Sequence, residues 1–487
     1  MLQPTLQEAR RLAASGDYRR IPVYREIYSD VRTPIEVMRV LQGVSGHCYM
    51  LESAEPSKNW GRYTFLGYNP SVEVTVRDGV LKVDGVSRAT DDPIGAIRGI
   101  LADYRAPRLP ELPPFSGGFV GYFSYDFLKY AEPSLVLDAA DDEGFNDIDI
   151  MLFSQVIAFD NFRQKIVLID NIDTADLDAS YAAADEALDR LVELIRSGTP
   201  APAEPGRRTS EFRRLFDEEG YCSIVERAQG HIREGDIFQV VLSNRLDADF
   251  EGSLLDTYRV LRATNPSPYM FYFRSADIEL AGASPETLVK LQDGVLHTFP
   301  LAGTRSRGET DEEDAALEAE LLDDEKELAE HNMLVDLGRN DLGRISEFGS
   351  VEVERYHEVL KFSHVMHIGS TVRGLIRPDR DALDALASVL PAGTLSGAPK
   401  IRAAQIINDL EGCKRGIYGG AVGYIDLSGN MDTCIAIRLA FKKNGRLFVR
   451  SGAGIVADSV PEKENRECIN KAQAVLDALD IAEGGLE

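Results

Sequence analysis

The chain is poor in the features that make several functions easy to assign. Its five cysteines (Cys48, Cys222, Cys413, Cys434 and Cys468) are odd in number and far apart in 487 residues. That spacing excludes a disulfide framework and any paired-cysteine zinc site, and it fits free thiols in a reducing cytoplasm. Basic residues are scarce, with 53 Lys and Arg against 80 Asp and Glu, a formal net charge of −27. An acidic surface of that size repels nucleic-acid phosphates and anionic lipid, so neither is an expected partner. No apolar run reaches the length of a membrane-spanning helix. The opening MLQPTLQEARRLAASGDYRR lacks the apolar core of a secretory signal. Familiar signatures are missing too: no GxGxxG follows a strand, and there is no HExxH and no GxSxG. Gly393 to Lys400 resembles a phosphate loop, but its glycines stand one residue too close and Ile401 follows the lysine. No repeat of fixed period and no low-complexity block appears.

What remains is globular composition, 44% hydrophobic and 27% charged with 22 Pro and 41 Gly, in a length that suits two or three domains or one intertwined one. The clearest break is the Pro- and Gly-rich stretch Ser197 to Ser210, which follows a helical pattern from Ala182 to Ile195 and reads as a linker or a long surface crossover. It divides an N-terminal region, 15–196, from a C-terminal region, 211–482. The first holds strand-like stretches at Ser71 to Val76 and Lys165 to Ile169 and a Gly-rich apolar run, Phe115 to Phe127. The acidic run Glu309 to Glu327 reads as a solvated loop and helix face.

Three segments carry candidate chemistry. In Thr433 to Phe441, strand alternation places Ile435, Ile437, Leu439 and Phe441 on one face, and Arg438 among Cys434, Ala436 and Ala440 on the other. Asn444-Gly445 signals a type I′ hairpin, and the return strand runs into Ser451-Gly452-Ala453-Gly454, where backbone N–H groups can approach a ligand closely. A guanidinium on such a floor suits a carboxylate or phosphate; an internal Asp or Glu partner is the competing reading.

In Asp324 to Leu337, Glu330 falls on the stripe of Met333, Leu334 and Leu337. A carboxylate there needs a cation, a donor or a metal; Arg339 and Arg344 are candidate partners. The C-terminal helix opens Ser459-Val-Pro-Glu462, a capping-box pattern with Pro in the first turn. Its core stripe is Cys468, Ala472, Val475 and Leu479, beside a carboxylate rail of Glu464 and Glu467. Glu330 and Glu467 from two helices can hold one Mg²⁺ between them, since magnesium takes one or two protein carboxylates and leaves its other positions to water and substrate oxygens; helix-dipole chemistry alone is the competing reading of that rail. His364 and His367 are two imidazoles at i,i+3 with no third metal ligand nearby, which leaves proton transfer or a structural role.

Several strings then match a known family in order: Gly235 to Gln239, Asn265 to Met270, Gly282 to Glu286, Pro300 to Thr304, Leu334 to Asp341, Gly393 to Lys400 and Ser451 to Gly454. The chain resembles the chorismate-utilising enzymes, most closely their anthranilate-forming members, densely from Tyr221 to Leu479 and more thinly around Met50-Leu-Glu-Ser53. The resemblance implies an α+β fold: antiparallel β-sheets packed as a sandwich, helices outside, and an intertwined N-terminal region. It assigns Glu330 and Glu467 to Mg²⁺, with Glu464 close by, and Gly303, Thr304, Tyr418, Arg438, Gly452, Ala453 and Gly454 to the carboxylates of chorismate. His367, Glu286 and Thr394 fall around the reacting ring. The implied reaction adds ammonia at C2 as the C4 hydroxyl leaves, then eliminates pyruvate to give anthranilate, the first committed step of tryptophan biosynthesis. Gln239 and Ala302 stand where water-activating and covalent-nucleophile relatives carry lysine, which points to ammonia as the nucleophile. Ser53 and Pro268, Tyr269 and Met270 match an L-tryptophan feedback site, although the usual Leu-Leu-Glu-Ser here begins with Met50. The chain carries no amidotransferase cysteine turn and no further domain after Leu486-Glu487, so a separate glutamine amidotransferase subunit is the expected source of ammonia.

Overall fold

A computed structural model describes residues 2–53, 61–361 and 365–486. Two antiparallel sheets organise them, an α+β arrangement with helices on the outer faces. The 13-stranded sheet carries, side by side along its middle, the strands Cys48–Glu52, Tyr269–Arg274, Ile278–Ser284, Leu439–Lys443, Arg446–Ile455 and Gln239–Glu251. The 12-stranded sheet runs from Leu301–Ser306 and Val365–Leu375 through Thr287–Gln292, Met431–Ile435 and Ala421–Asp426 to Gly118–Phe123 and beyond. The two ends of the sequence interleave in both sheets. Cys48–Glu52 pairs with Tyr269–Arg274, with Met50 opposite Tyr272, and Gly118–Phe123 pairs with Ala421–Asp426.

Period-2 alternation decides which layer each side chain enters. Tyr49, Phe271 and Phe273 point between the sheets, into an aromatic layer with Phe115, Phe153, Phe441 and Phe448. Their neighbours Met50, Met270 and Tyr272 point the other way, against Val37, Leu41, Leu188, Leu261 and Leu479 from the covering helices. The outer face of the second sheet packs Phe119, Phe123 and Ile150 against Val335, Leu383 and Leu386. Within the aromatic layer, Tyr49 and Phe153 meet edge-on at 4.7 Å between centroids, and Phe441 stacks on Phe448 at 5.3 Å. Truncating such a ring to alanine costs about 3–5 kcal/mol.

The helical pattern before the break becomes the helix Leu177–Ser197, and the acidic run becomes the helix Asp311–Asp323 and the start of Glu325–Gly343. Within the break, Arg207–Arg208 adds a short strand beside Gln239–Glu251. The Phe115 to Phe127 run holds the strand Gly118–Phe123 and a 3₁₀ turn at Tyr125–Phe127. Among the described residues, no helix is long and apolar enough to cross a membrane.

Candidate active site

Arg438 stands where the chain leaves one sheet for the other. The strand Met431–Ile435 belongs to the second sheet and Leu439–Lys443 to the first. Residues 436–438 make the crossing, with Arg438 at φ +50°, a left-handed conformation that a non-glycine residue adopts at a cost of about 1–2 kcal/mol. The uninterrupted strand expected over Thr433 to Phe441 is therefore wrong: both of its halves are buried on two faces, so its composition hides the switch. Among the described residues Arg438 makes no ion pair, so the internal-partner reading falls. Burial lowers its pKa, and the Glu286 carboxylate pulls it back upward.

The strands that follow it carry closely packed glycine positions. The hairpin turn at Asn444-Gly445 has both residues at positive φ, 53° and 72°, as a type I′ turn requires. The return strand, Arg446–Ile455, sets Gly452 opposite Ser243 and Gly454 opposite Val241. A Cβ on Gly452 would lie 2.6 Å from the Leu242 carbonyl and 3.1 Å from the Tyr418 hydroxyl, and one on Gly454 would lie 2.8 Å from the Gln239 amide nitrogen. Ala453 and Tyr418 are buried. In the second sheet Ala302 pairs with Ile368 and Thr304 with His367, and between them Gly303 forms a bulge at φ +66°.

That bulge fixes His367. Its Nδ1 lies 3.0 Å from the Gly303 carbonyl and 3.1 Å from the Thr304 hydroxyl. A carbonyl only accepts, so Nδ1 carries the proton in the neutral ring and Nε2 keeps its lone pair. Burial, aided by the Arg438 charge, holds the pKa of His367 below its ordinary value. His364, the other imidazole of that pair, lies outside the described residues. Across the site the Thr394 hydroxyl donates to Glu286 Oε1 at 3.0 Å. Burial pushes the Glu286 carboxyl up to about 7; the Thr394 hydrogen bond and the charges of Lys471 and Arg438 oppose that rise.

The acidic group sits on two helices. Arg339 and Arg344 are engaged elsewhere, by Asp336 and Glu132, so neither is the partner of Glu330. The pKa of Glu330 is raised by burial and by the like charges of Glu327 and Glu467, against the pull of Lys326 and Lys471. Glu464, from the helix Pro461–Glu483, is raised by burial and again by Glu467. Glu467 is exposed and holds Lys471 at 2.7 Å. The capping box at the start of that helix does not form. Val460 is the N-cap with no side-chain bond, and the Ser459 hydroxyl accepts from the Val456 N–H instead, while Pro461 takes the first turn as expected.

Among the described residues, the one trio of His, Cys, Asp or Glu side chains whose ligand atoms all lie within 4.8 Å of one another is His231, Glu234 and Asp236, and Arg402 already pairs with Asp236. Glu330, Glu464 and Glu467 stand further apart, yet near enough to repel. Half-buried Glu330 makes no ion pair among the described residues, and its neighbours are hard oxygen donors, a set that fits Mg²⁺ with several waters retained. Lys471 acts on Glu286 as well as on Glu330 and Glu464, so the acidic group and the Arg438 side are parts of one electrostatic site.

The residues matched to an effector lie along one strand pair. Met270 stands opposite Glu52, next to Ser53, with its side chain in the helix-covered core. The Tyr269 hydroxyl reaches Asp432 at 2.7 Å and Thr287 at 3.0 Å, and Pro268 precedes it, half-buried. A cavity of about 380 Å³ bounded by Arg39, Gln42, Ala201 to Pro205 and Arg274 shares no residue with the site. Sequence reasoning passed over Glu411, Arg415 and Arg450, which are buried beneath the glycine floor. The Glu-to-Arg spacing of four across a helix end was the one available signal.

The family model described as chorismate binding enzyme matches residues 46–477. The chain is 43% identical to anthranilate synthase component 1 of Acetivibrio thermocellus and 44% identical to that of Pseudomonas aeruginosa, in each case over 99% of both chains. Its structure resembles the crystal structure of anthranilate synthase component I from Streptococcus pneumoniae, with a TM-score of 0.77 and 39% identity over 93% of this chain and 99% of that one. The fold extends to the menaquinone-specific isochorismate synthase of Escherichia coli, with a TM-score of 0.70 at 20% identity, over 97% of this chain and 98% of that one. The chain belongs to the chorismate binding enzyme family.

Proposed function

We propose that this chain is a lyase that converts chorismate and ammonia to anthranilate, pyruvate and water, as the large component of an anthranilate synthase in the cytoplasm. The observation that carries this reading is the pairing of full-length likeness to component 1 relatives with two uncharged positions: Gln239 against Gly454, and Ala302 beside the Gly303 bulge. Neither side chain can deprotonate water or form a covalent amine adduct, so the nucleophile has to arrive already nucleophilic, as ammonia does.

Arg438, the Gly452 to Gly454 backbone, Thr304 and Tyr418 bind and orient the two carboxylates of the substrate. His367, neutral and with Nδ1 tied to Gly303, offers Nε2 at the ring as a proton acceptor. Glu286, with its carboxyl near 7, exchanges a proton with the substrate at neutral pH, and Thr394 holds it in place. Glu330 and Glu467 would hold Mg²⁺, with Glu464 beside them. When bound, the ion supplies positive charge for the ring carboxylate in an otherwise acidic setting. The name "component 1" of the relatives supports a partner subunit, here read as a glutamine amidotransferase that delivers ammonia. Ser53, Pro268, Tyr269 and Met270 form an L-tryptophan site for feedback inhibition.

The test is incubation of the purified chain with chorismate, Mg²⁺ and ammonium, following anthranilate fluorescence. A hydroxylated product, or none, rejects the reading. L-Tryptophan added to the same assay should inhibit, and Ser53→Phe should raise the half-inhibiting concentration about tenfold or more, the loss of roughly 1.4 kcal/mol of effector binding. Equal sensitivity in parent and variant rejects the effector site.

A further inference from the structure

The helix Lys400–Glu411 ends on Glu411, and four residues later Arg415 folds back against it. Both side chains are shut away from water, 0% and 1% exposed, and Arg450, at 0%, joins them from the strand Arg446–Ile455. The Glu411 carboxylate accepts hydrogen bonds from Arg415 Nε at 2.9 Å and Nη2 at 2.6 Å, and from Arg450 Nη2 at 2.7 Å. The Ser243 N–H at 2.7 Å and its hydroxyl at 2.8 Å complete the set. Two guanidiniums to one carboxylate leave a net positive charge in the interior. Such a group costs several kcal/mol of desolvation per ion and is often no more stabilising than apolar residues of the same volume. Stability alone does not account for it.

What Arg415 touches does. Its Nη1 donates to the Leu395 carbonyl at 2.6 Å, and its Nη2 also donates to the Val241 carbonyl at 2.7 Å. Its guanidinium carbon lies 4.5 Å from the centre of the Tyr125 ring and 5.8 Å from that of Tyr418. Each contact is one step from the site. Leu395 follows Thr394 in the turn Gly393–Leu395, and Thr394 holds Glu286. Val241 is the register partner of Gly454, and the Tyr418 hydroxyl borders Gly452.

We propose that Arg415 is a positioning residue: its planar fork, locked by Glu411, sets the Thr394 turn, the Gly454 strand and the Tyr418 ring in one fixed relation. It touches neither substrate nor metal. The inference rests on the functional reading above and adds to it the part that holds the anion floor and the Glu286–Thr394 pair in register.

Arg415→Lys tests it, because lysine keeps the charge and loses the fork. With chorismate and ammonium, kcat/KM should fall about ten- to a hundredfold, the scale of a displacement of about 1 Å in a reacting geometry. A merely structural role would lower the melting temperature and leave the pH profile alone. Here the limb that reports Glu286 should move upward, as it does in Thr394→Val, because both changes loosen the hydroxyl donor, while Lys471 and Arg438, the charges that face Glu286, are retained. The double variant should shift that limb no further than the larger single shift. Glu411→Gln, which leaves the guanidinium but removes its lock, takes the same two measurements if Arg415→Lys gives no cooperative melt. An unmoved limb, or additive effects, overturns the positioning role while the parent enzyme stays active. No anthranilate from the parent overturns the functional reading and this inference together.

Discussion

Arg438 stands half-buried beside glycine backbone, and behind that backbone Glu411, Arg415 and Arg450 are sealed from water with their hydrogen bonds mutually satisfied. At the other side of the same site, Glu330 and Glu464 are half-buried and Glu467 is exposed, and burial raises the pKa of both carboxyls, with the charge of Glu467 adding to it. On the Arg438 side the backbone is held by the fold, with Glu411, Arg415 and Arg450 locked behind it, and prearranged dipoles of that kind stabilise charge without reorganising at the moment of reaction. The acidic side gathers three carboxylates against two lysines, Lys326 and Lys471, and under the reading proposed above a divalent cation would offset their repulsion. A small dianion between the two would meet the Arg438 guanidinium at one end and a metal-dependent contact at the other.

The largest effect should come from the Arg438 side. Arg438→Met keeps most of the volume and removes the charge, so kcat/KM for chorismate should drop about 30- to 1000-fold, the 2–4 kcal/mol expected of a desolvated charge pair. Arg438→Lys should recover only part of this, since an ammonium lacks the fork. A loss of less than threefold in initial rates would remove the guanidinium from the site. The acidic side should answer to the ion itself, with no substrate present. Mg²⁺ at about a hundred times its dissociation constant adds about 2.7 kcal/mol to the stability of the folded chain, a rise of a few degrees in melting temperature. Glu330→Gln should abolish most of that rise in a thermal melt. An equal rise in parent and variant would place the cation elsewhere.

The contrast between the two sides also explains what was legible in the sequence. Asn444-Gly445 and the Pro461 helix start are local signals, and each sits where its pattern predicts, whereas the glycines after Arg450 lie inside the strand Arg446–Ile455 and not at a corner after it. Glu330 stood out in the sequence as a carboxylate on an apolar stripe; its helix buries His331, Leu334, Val335, Gly338 and Leu342 most deeply, and Glu330 lies half-buried at the edge of that face. The crossing at Arg438 was not legible, because a segment buried on both faces shows no alternation to interrupt. Neither was the order of the sheets: Cys48–Glu52 beside Tyr269–Arg274 joins segments more than two hundred residues apart, and nothing in either strand names the other. Glu411 and Arg415 flank a helix end, where charges are ordinarily solvated, and only the fold sets the Arg415 guanidinium against the rings of Tyr125 and Tyr418. The Ser459 cap does not form: its hydroxyl accepts from the Val456 N–H, and Val460 takes the N-cap position.

The smallest expected effect lies between the two sides, at Glu286. Burial disfavours its ionised form and raises its carboxyl to about 7, and the Thr394 hydroxyl, which donates to that ionised form, limits the rise. Thr394→Val removes the donor at nearly constant volume, so the pKa must move up, by several tenths of a unit to about one. If the limiting step needs the carboxylate, the rising limb of kcat shifts to higher pH and the rate at pH 7 falls severalfold. If it needs the acid, the falling limb shifts to higher pH and the rate at pH 8 rises. The two cases differ in which limb moves but share a direction, so a profile taken from pH 5.5 to 9 assigns the protonation state of Glu286 in the step it serves. A downward shift would mean that Thr394 stabilises the protonated carboxyl, reversing its role and setting the proton on the other partner of that pair.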